Sequence, residues 1–135
     1  MDVSTTPYAL VVDDDPIILM DACAILEDAG FRFYEASTGD EAKALLDEHS
    51  SSVILLFSDV EMPGDTSGFV LAHHVAENWP WIEIVIASGR LLPEAGDLPE
   101  KATFIRKPFN TRMVHDHLRN TLPDGKKPMP LQRAV

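Results

Sequence analysis

Five polar side chains in this sequence stand where an apolar run gives out, and together they are of the types that phosphoryl chemistry needs. Asp13 and Asp14 follow Leu10-Val11-Val12, and Asp59 ends the run that begins at Val53 and continues through Leu55-Leu56-Phe57. Ser88 follows Ile84-Val85-Ile86-Ala87, and Lys107 follows Thr103-Phe104-Ile105-Arg106. Each run reads as a strand, and in a parallel sheet the carboxyl ends of all strands lie on one edge, which opens onto the ligand crevice. Carboxylates gathered at one crevice repel one another, and a hard divalent cation relieves that repulsion. Mg2+ in particular takes a few carboxylate oxygens together with water and phosphate oxygens. A hydroxyl and an ammonium from neighbouring strand ends can then hold the oxygens of a phosphoryl group. Asp59 stands out because the longest apolar run leads to it and the turn Met62-Pro63-Gly64 follows it.

These residues need elements that place them. Tyr8 to Val12 reads as a strand stopping at Asp13-Asp14-Asp15-Pro16; an Asp ahead of a Pro is a good helix start, and Asp15 reads as that cap. Ile18, Ala22, Ile25 and Leu26 then form one apolar helix face that ends at Gly30. Phe31 to Ala36 is a second strand, and Thr38-Gly39-Asp40-Glu41 has the form of a capping box ahead of Ala42, Leu45 and Leu46. After the Asp59 strand, Phe69, Ala72 and Val75 predict a helix to about Asn78, broken by Pro80. Ile82 to Ala87 and Thr103 to Arg106 are the last two strands, and Asn110 caps a final helix with Val114, Leu118 and Leu122 inward. Between residues 90 and 102 the helical pattern fails: Pro93, Gly96 and Pro99 intervene, and an interior Pro alone costs about 3 kcal/mol. A mobile loop with at most one helical turn is expected there. Strands alternating with helices argue for a doubly wound, five-stranded parallel α/β sheet.

Composition narrows the function. With 135 residues, 45% of them hydrophobic, the chain supports one core, hence one domain. The net charge of −11 argues against nucleic acid as a partner, since neutralising the phosphate backbone takes Lys and Arg. Cys23 is the single cysteine and has no internal partner, and no charged-then-apolar leader or membrane-length apolar run is seen. A cytoplasmic protein with no membrane partner is expected.

The motif set Val11-Val12-Asp13-Asp14, Asp59-x-x-Met62-Pro63-Gly64, Ser88-Gly89 and Lys107-Pro108-Phe109 resembles that of the receiver domain of two-component response regulators, over about residues 8 to 122. The resemblance implies a flavodoxin-like fold with Asp59 as phospho-acceptor, taking its phosphoryl group from the phosphohistidine of a sensor histidine kinase or phosphotransfer protein. It implies Mg2+ held directly by Asp14 and Asp59, with Asp13 acting through metal-bound water and the backbone carbonyl of Glu61 completing the set. Ser88 and Lys107 would bind the phosphoryl oxygens. Ser88 and Phe104 would form the switch, the ring of Phe104 reporting phosphorylation. Such a module catalyses only its own phosphorylation and dephosphorylation, and signals by changing a protein-binding surface seen by a downstream protein.

The sequence departs from that family between Gly89 and Phe104, where a fourth helix is short or absent. Residues 123–135, with three prolines, read as a flexible tail with no output domain following. His73-His74 and His115/His117 do not share helix faces as metal pairs would, and Cys23 reads as a plain helix residue. Trp79 and Trp81 are expected to pack over the end of the third helix. Two other classes share parts of the pattern: a haloacid-dehalogenase-like phosphohydrolase using Asp13-Asp14-Asp15 as its Asp-x-Asp, which Ile17 fits poorly, and a phosphorylation-independent interaction domain on the same fold.

Overall fold

Capping residues and apolar runs become a regular alternation in the computed structural model, which describes residues 7–90 and 92–132. In chain order the elements are β1 (Tyr8–Val12), α1 (Pro16–Asp28), β2 (Arg32–Ala36), α2 (Gly39–His49), β3 (Val53–Asp59), α3 (Gly68–Asn78), β4 (Glu83–Ser88), β5 (Thr103–Arg106), α4 (Thr111–Thr121) and a short α5 (Met129–Gln132). Asp15 Oδ1 accepts from the Ile17 and Ile18 amides at the start of α1, and Thr38 Oγ1 accepts from the Glu41 amide at the start of α2. The reciprocal half of the second cap falls one residue early: Glu41 Oε1 accepts from the Ser37 amide.

The strands are all parallel, in the order β2-β1-β3-β4-β5. This is a flavodoxin-like sheet whose connections part to opposite faces between β1 and β3, so the crevice opens at the carboxyl ends of those two strands. Alternate residues feed two cores. Ala9, Val11, Leu55, Phe57, Val85 and Ala87 pack under α1 and α4, while Leu10, Val12, Leu56, Ile84 and Ile86 pack under α2 and α3. Burial on both faces explains why the β3 sequence is continuously apolar.

Over β4 and β5 the second face has no helix among the described residues. Leu98 and Ala102 of the connecting segment pack there instead, beside Phe104. The segment is tied down by polar contacts: the two carbonyls of Gly96 and Asp97 each lie 3.1 Å from His73 Nε2, and Lys101 Nζ donates to the Pro80 carbonyl. His73, set aside above as a metal ligand, is a latch for this segment.

Two expectations are corrected. Residues 123–132 do not form a loose tail. Leu131 is buried against the core under α1 and α4, and Lys126 Nζ pairs with Glu83 at 2.7 Å. Burying one such leucine stabilises by about 2 kcal/mol, which offsets much of the cost of ordering the turn that carries it. The fit is close: a β-carbon on Gly30, where the chain leaves α1 at φ +107, would lie 2.6 Å from Pro128 Cβ. Pro128 and Pro130, which read as disorder, therefore pack against the end of α1. Residues 133–135 of that expected tail lie outside the described residues. Of the two tryptophans, Trp79 packs at the end of α3, edge-on to His74, but Trp81 is directed away. Its Nε1 donates to the Ser50 carbonyl beyond α2.

Candidate functional site

Asp59 ends β3 as a buried residue, and Asp13 follows β1 as another, only 4% exposed. A rigid central strand fixes each backbone. One oxygen from each of Asp13, Asp14 and Asp59 lies within 4.8 Å of the others, with Asp14 exposed at the mouth. Lys107 reaches the group from the end of β5: its Nζ donates to Asp13 Oδ2 at 2.8 Å and to Asp59 Oδ1 at 2.9 Å. The other oxygen of Asp13 accepts from the Asp15 amide at 2.9 Å. These side chains, with Asp15, Ile18, Glu61, Gly89 and Arg90, line an open cleft of about 350 Å³.

The electrostatics follow from burial. It pushes the Asp59 carboxyl above the usual carboxylate range, and the charge of Asp13 adds to the effect, while Lys107 and the Val60 amide pull the other way. For Lys107 burial alone would lower the pKa, but the hydrogen bonds and charges of Asp13 and Asp59 outweigh it and hold the ammonium firmly protonated. Two buried carboxylates share one cation, with the third carboxylate facing solvent. The arrangement is short of positive charge, and a divalent cation answers that need.

Other predicted residues lie nearby without all entering the cleft. Glu61 is exposed on its rim. Ser88 is 2% exposed at the end of β4, and its carbonyl accepts from the Lys107 amide at 3.0 Å; Gly89 and Arg90, which follow it, line the cleft and Ser88 does not. Lys107-Pro108 is a cis peptide bond, after which Phe109 packs edge-on to Phe57 at 5.4 Å. Phe104 is half-buried on the face that the β4–β5 connection covers. Asp15 caps α1 and also lines the cleft. Sequence reasoning missed Gly68. A β-carbon there would lie 2.1 Å from the Asp59 carbonyl oxygen, so α3 starts directly against the backbone of the central Asp, and the Gly68 amide closes the loop onto the Val60 carbonyl at 2.8 Å. A lone Gly after a polar loop gives no sequence signal of such an approach.

A parallel sheet in this order, with an acidic triad and a lysine at its carboxyl edge, defines a class, and comparison with known proteins agrees. The family model described as response regulator receiver domain matches residues 9–119, and the chain belongs to that family. Among curated proteins it is 29% identical over 116 residues to the sensor kinase CckA of Brucella abortus (strain 2308), covering 84% of this chain and 12% of that protein. It is 28% identical over 124 residues to the aerobic respiration control protein ArcA of Escherichia coli (strain K12), covering 87% of this chain and 49% of that one. The chain thus spans half or less of those two relatives. Among solved structures, a response regulator receiver protein from Sinorhizobium medicae WSM419 superposes with a TM-score of 0.79 at 25% identity, covering 87% of this chain and 94% of that one. The chemotaxis response regulator CheY4 of Vibrio cholerae superposes at 0.75 with 25% identity, covering 87% and 99%. Membership of the receiver family sets aside the phosphohydrolase reading.

Proposed function

We propose that Asp59 accepts a phosphoryl group from the phosphohistidine of a sensor histidine kinase or phosphotransfer protein, in two-component signalling. A carboxylate oxygen of Asp59 attacks phosphorus, the P–N bond to the donor imidazole breaks as the P–O bond forms, and water later hydrolyses the acyl phosphate. The observation that carries this reading is Lys107 Nζ bridging Asp13 and Asp59 at 2.8 and 2.9 Å in an open acidic cleft. In that position the ammonium is poised to follow the charge from the carboxylate to the incoming phosphoryl oxygens. The Ser88 hydroxyl would take a second phosphoryl oxygen once Gly89 and Arg90 give way.

The donor set suits Mg2+. Asp14 and Asp59 would hold it directly, Asp13 through a water, and the Glu61 carbonyl would complete the protein ligands. When bound, it supplies charge neutralisation for the transferring group. The rest falls to the chain's own residues. β1 and β3 hold the carboxylates, Lys107 orients the acceptor, and the Glu61 side chain, exposed on the rim of the cleft, is suited to set phosphate lifetime.

Output is proposed to run through Phe104 and the β4–β5 connection, which Ser88 and Lys107 bracket. A pull on those two residues reorders residues 90–102 and alters the surface offered to a downstream protein. Among the described residues no helix is long and apolar enough to cross a membrane, and a cytoplasmic site of action fits the donor chemistry. Intact mass after incubation with a small acyl phosphate and Mg2+ tests the assignment: one phosphoryl increment is expected on the native chain and none on Asp59→Asn. Undiminished labelling of the variant would overturn it. Amide exchange with and without a phosphate mimic should change across residues 90–102; equal protection in both states would rule out the switch.

A further inference from the structure

The loop from Val60 to Ser67 brings Glu61 to one side of the cleft, yet half of its residues are exposed, so something must fix its position. Gly68 closes its far end onto Val60 and Asp59. Its second anchor comes from a different element. Thr66 is 3% exposed, and its Oγ1 donates to Asp40 Oδ1 at 2.7 Å, across 26 residues of sequence. Asp40 lies in the first turn of α2, which is held by Thr38 accepting from the Glu41 amide and by Glu41 accepting from the Ser37 amide. The helix start meets the loop backbone at close range: a β-carbon on Gly39 would lie 2.4 Å from the Thr66 carbonyl oxygen. A short hydrogen bond to a carboxylate oxygen, made by a buried hydroxyl, is among the stronger side-chain links and is directional.

We infer that Thr66 and Asp40 are positioning residues for the phospho-acceptor site, pinning the Val60–Ser67 loop to the start of α2 so that the Glu61 carbonyl is presented to the metal before the metal arrives. The inference rests on the proposed metal-dependent phosphorylation of Asp59. Neither side chain lines the cleft, so the effect passes through the loop backbone. A loop released at Thr66 must be ordered again by each binding event, which weakens binding without altering any ligand.

The test uses Thr66→Val, which keeps shape and removes the hydroxyl, and Thr66→Ser, which restores it. Calorimetric titration with Mg2+ should show affinity lowered by about tenfold in Thr66→Val, the lower range for loss of an outer partner of a metal ligand, and near-native affinity in Thr66→Ser. In metal-free protein, exchange of the Gly68 amide, which closes the loop onto the Val60 carbonyl, should quicken in Thr66→Val and not in Thr66→Ser. In combination with Asp40→Ala, Thr66→Val should add little to either single change. Native Mg2+ affinity and exchange in Thr66→Val would overturn the inference while labelling of Asp59 stood. Absence of both Mg2+ binding and Asp59 labelling in the native chain would overturn the function reading and this inference with it.

Discussion

The two connections that leave the site differ in kind. From β3 the chain crosses the Val60–Ser67 loop into α3: Ser67 caps the helix by accepting from the Val70 amide, and Gly68, Leu71, Ala72 and Val75 are buried along one face. From β4 it runs 14 residues, 89 to 102, to β5 with no helix among the described residues, and is held by His73, Lys101 and the bond from the Glu94 amide to Asp97. One connection is secured by the buried face of its helix, the other by half-buried Leu98 and Ala102 and a few polar contacts to backbone. Burial gives a connection its stability from many small contacts at once, whereas a polar tether can be released one bond at a time. The difference suits a site that needs one wall fixed and the other adjustable.

The largest test of that contrast compares leucines. Leu71→Ala should destabilise by about 3 kcal/mol, the usual cost of a cavity at a fully buried leucine, whereas Leu98→Ala in the half-buried connection should cost only about 1 kcal/mol. Denaturant melts read both directly. Equal losses would mean that the second connection is as deeply integrated as the first.

Glycines sharpen it next. Gly68→Ala drives a β-carbon against the Asp59 backbone, where nothing flexible can yield, and is expected to cost about 2 to 3 kcal/mol and to slow phosphorylation as well. Gly96→Ala meets no atom within 4 Å and suffers only its φ of +90, at about 1 kcal/mol. Thermal melts and labelling rates should separate the two variants, and slower phosphorylation in Gly96→Ala would show that the second connection also governs acceptor geometry.

Much of this was legible in the sequence because local physics set it. Asp15-Pro16, Thr38-x-x-Glu41 and Asn110 mark helix starts that the structure keeps, and β3 had to be apolar throughout because both its faces are covered. Pro93, Gly96 and Pro99 likewise announced that the described residues of the β4–β5 connection form no helix. Contacts set by distant partners were not legible. Nothing near Leu131 signals that it fills a gap under α1, and nothing near His73 signals two carbonyls of another segment 3.1 Å away. The spacing of adjacent histidines on a helix bears on a metal pair and says nothing of each ring's own partner. The convergence of Asp13, Asp14, Asp59 and Lys107 is the exception among long-range contacts. A parallel sheet brings its strand ends to one edge whatever else the chain does.

A smaller effect is expected at the latch itself. His73→Phe keeps a ring on α3 but removes the donor facing the Gly96 and Asp97 carbonyls, which should cost about 1 kcal/mol or less because solvent can replace it. The sensitive readout is amide exchange from residue 92 to 102, which should quicken while α3 stays protected. Unchanged exchange would show that Leu98 and Ala102 hold the segment without the latch.

The smallest expected effect lies where the second connection re-enters the sheet. Thr103 Oγ1 and His117 Nε2 lie 2.8 Å apart, joining the first residue of β5 to α4, and burial lowers the His117 pKa below its usual value. An imidazole in the unfolded chain takes up a proton near pH 6.5, whereas the folded state resists it to lower pH. The contribution of His117 to stability is therefore fully present above about pH 6.5 and is lost as the pH falls through the folded-state value. Asp59 works in the opposite sense, because a carboxyl raised by burial is relieved as it protonates, so the overall pH curve mixes the two. Subtraction separates them. The stability of the native chain relative to His117→Gln should shrink between pH 7.5 and pH 5, since Asp59 is common to both proteins. A difference that held constant or grew in acid would mean that the folded state accommodates the charged imidazole, and that β5 is joined to α4 by a bond that acid does not weaken.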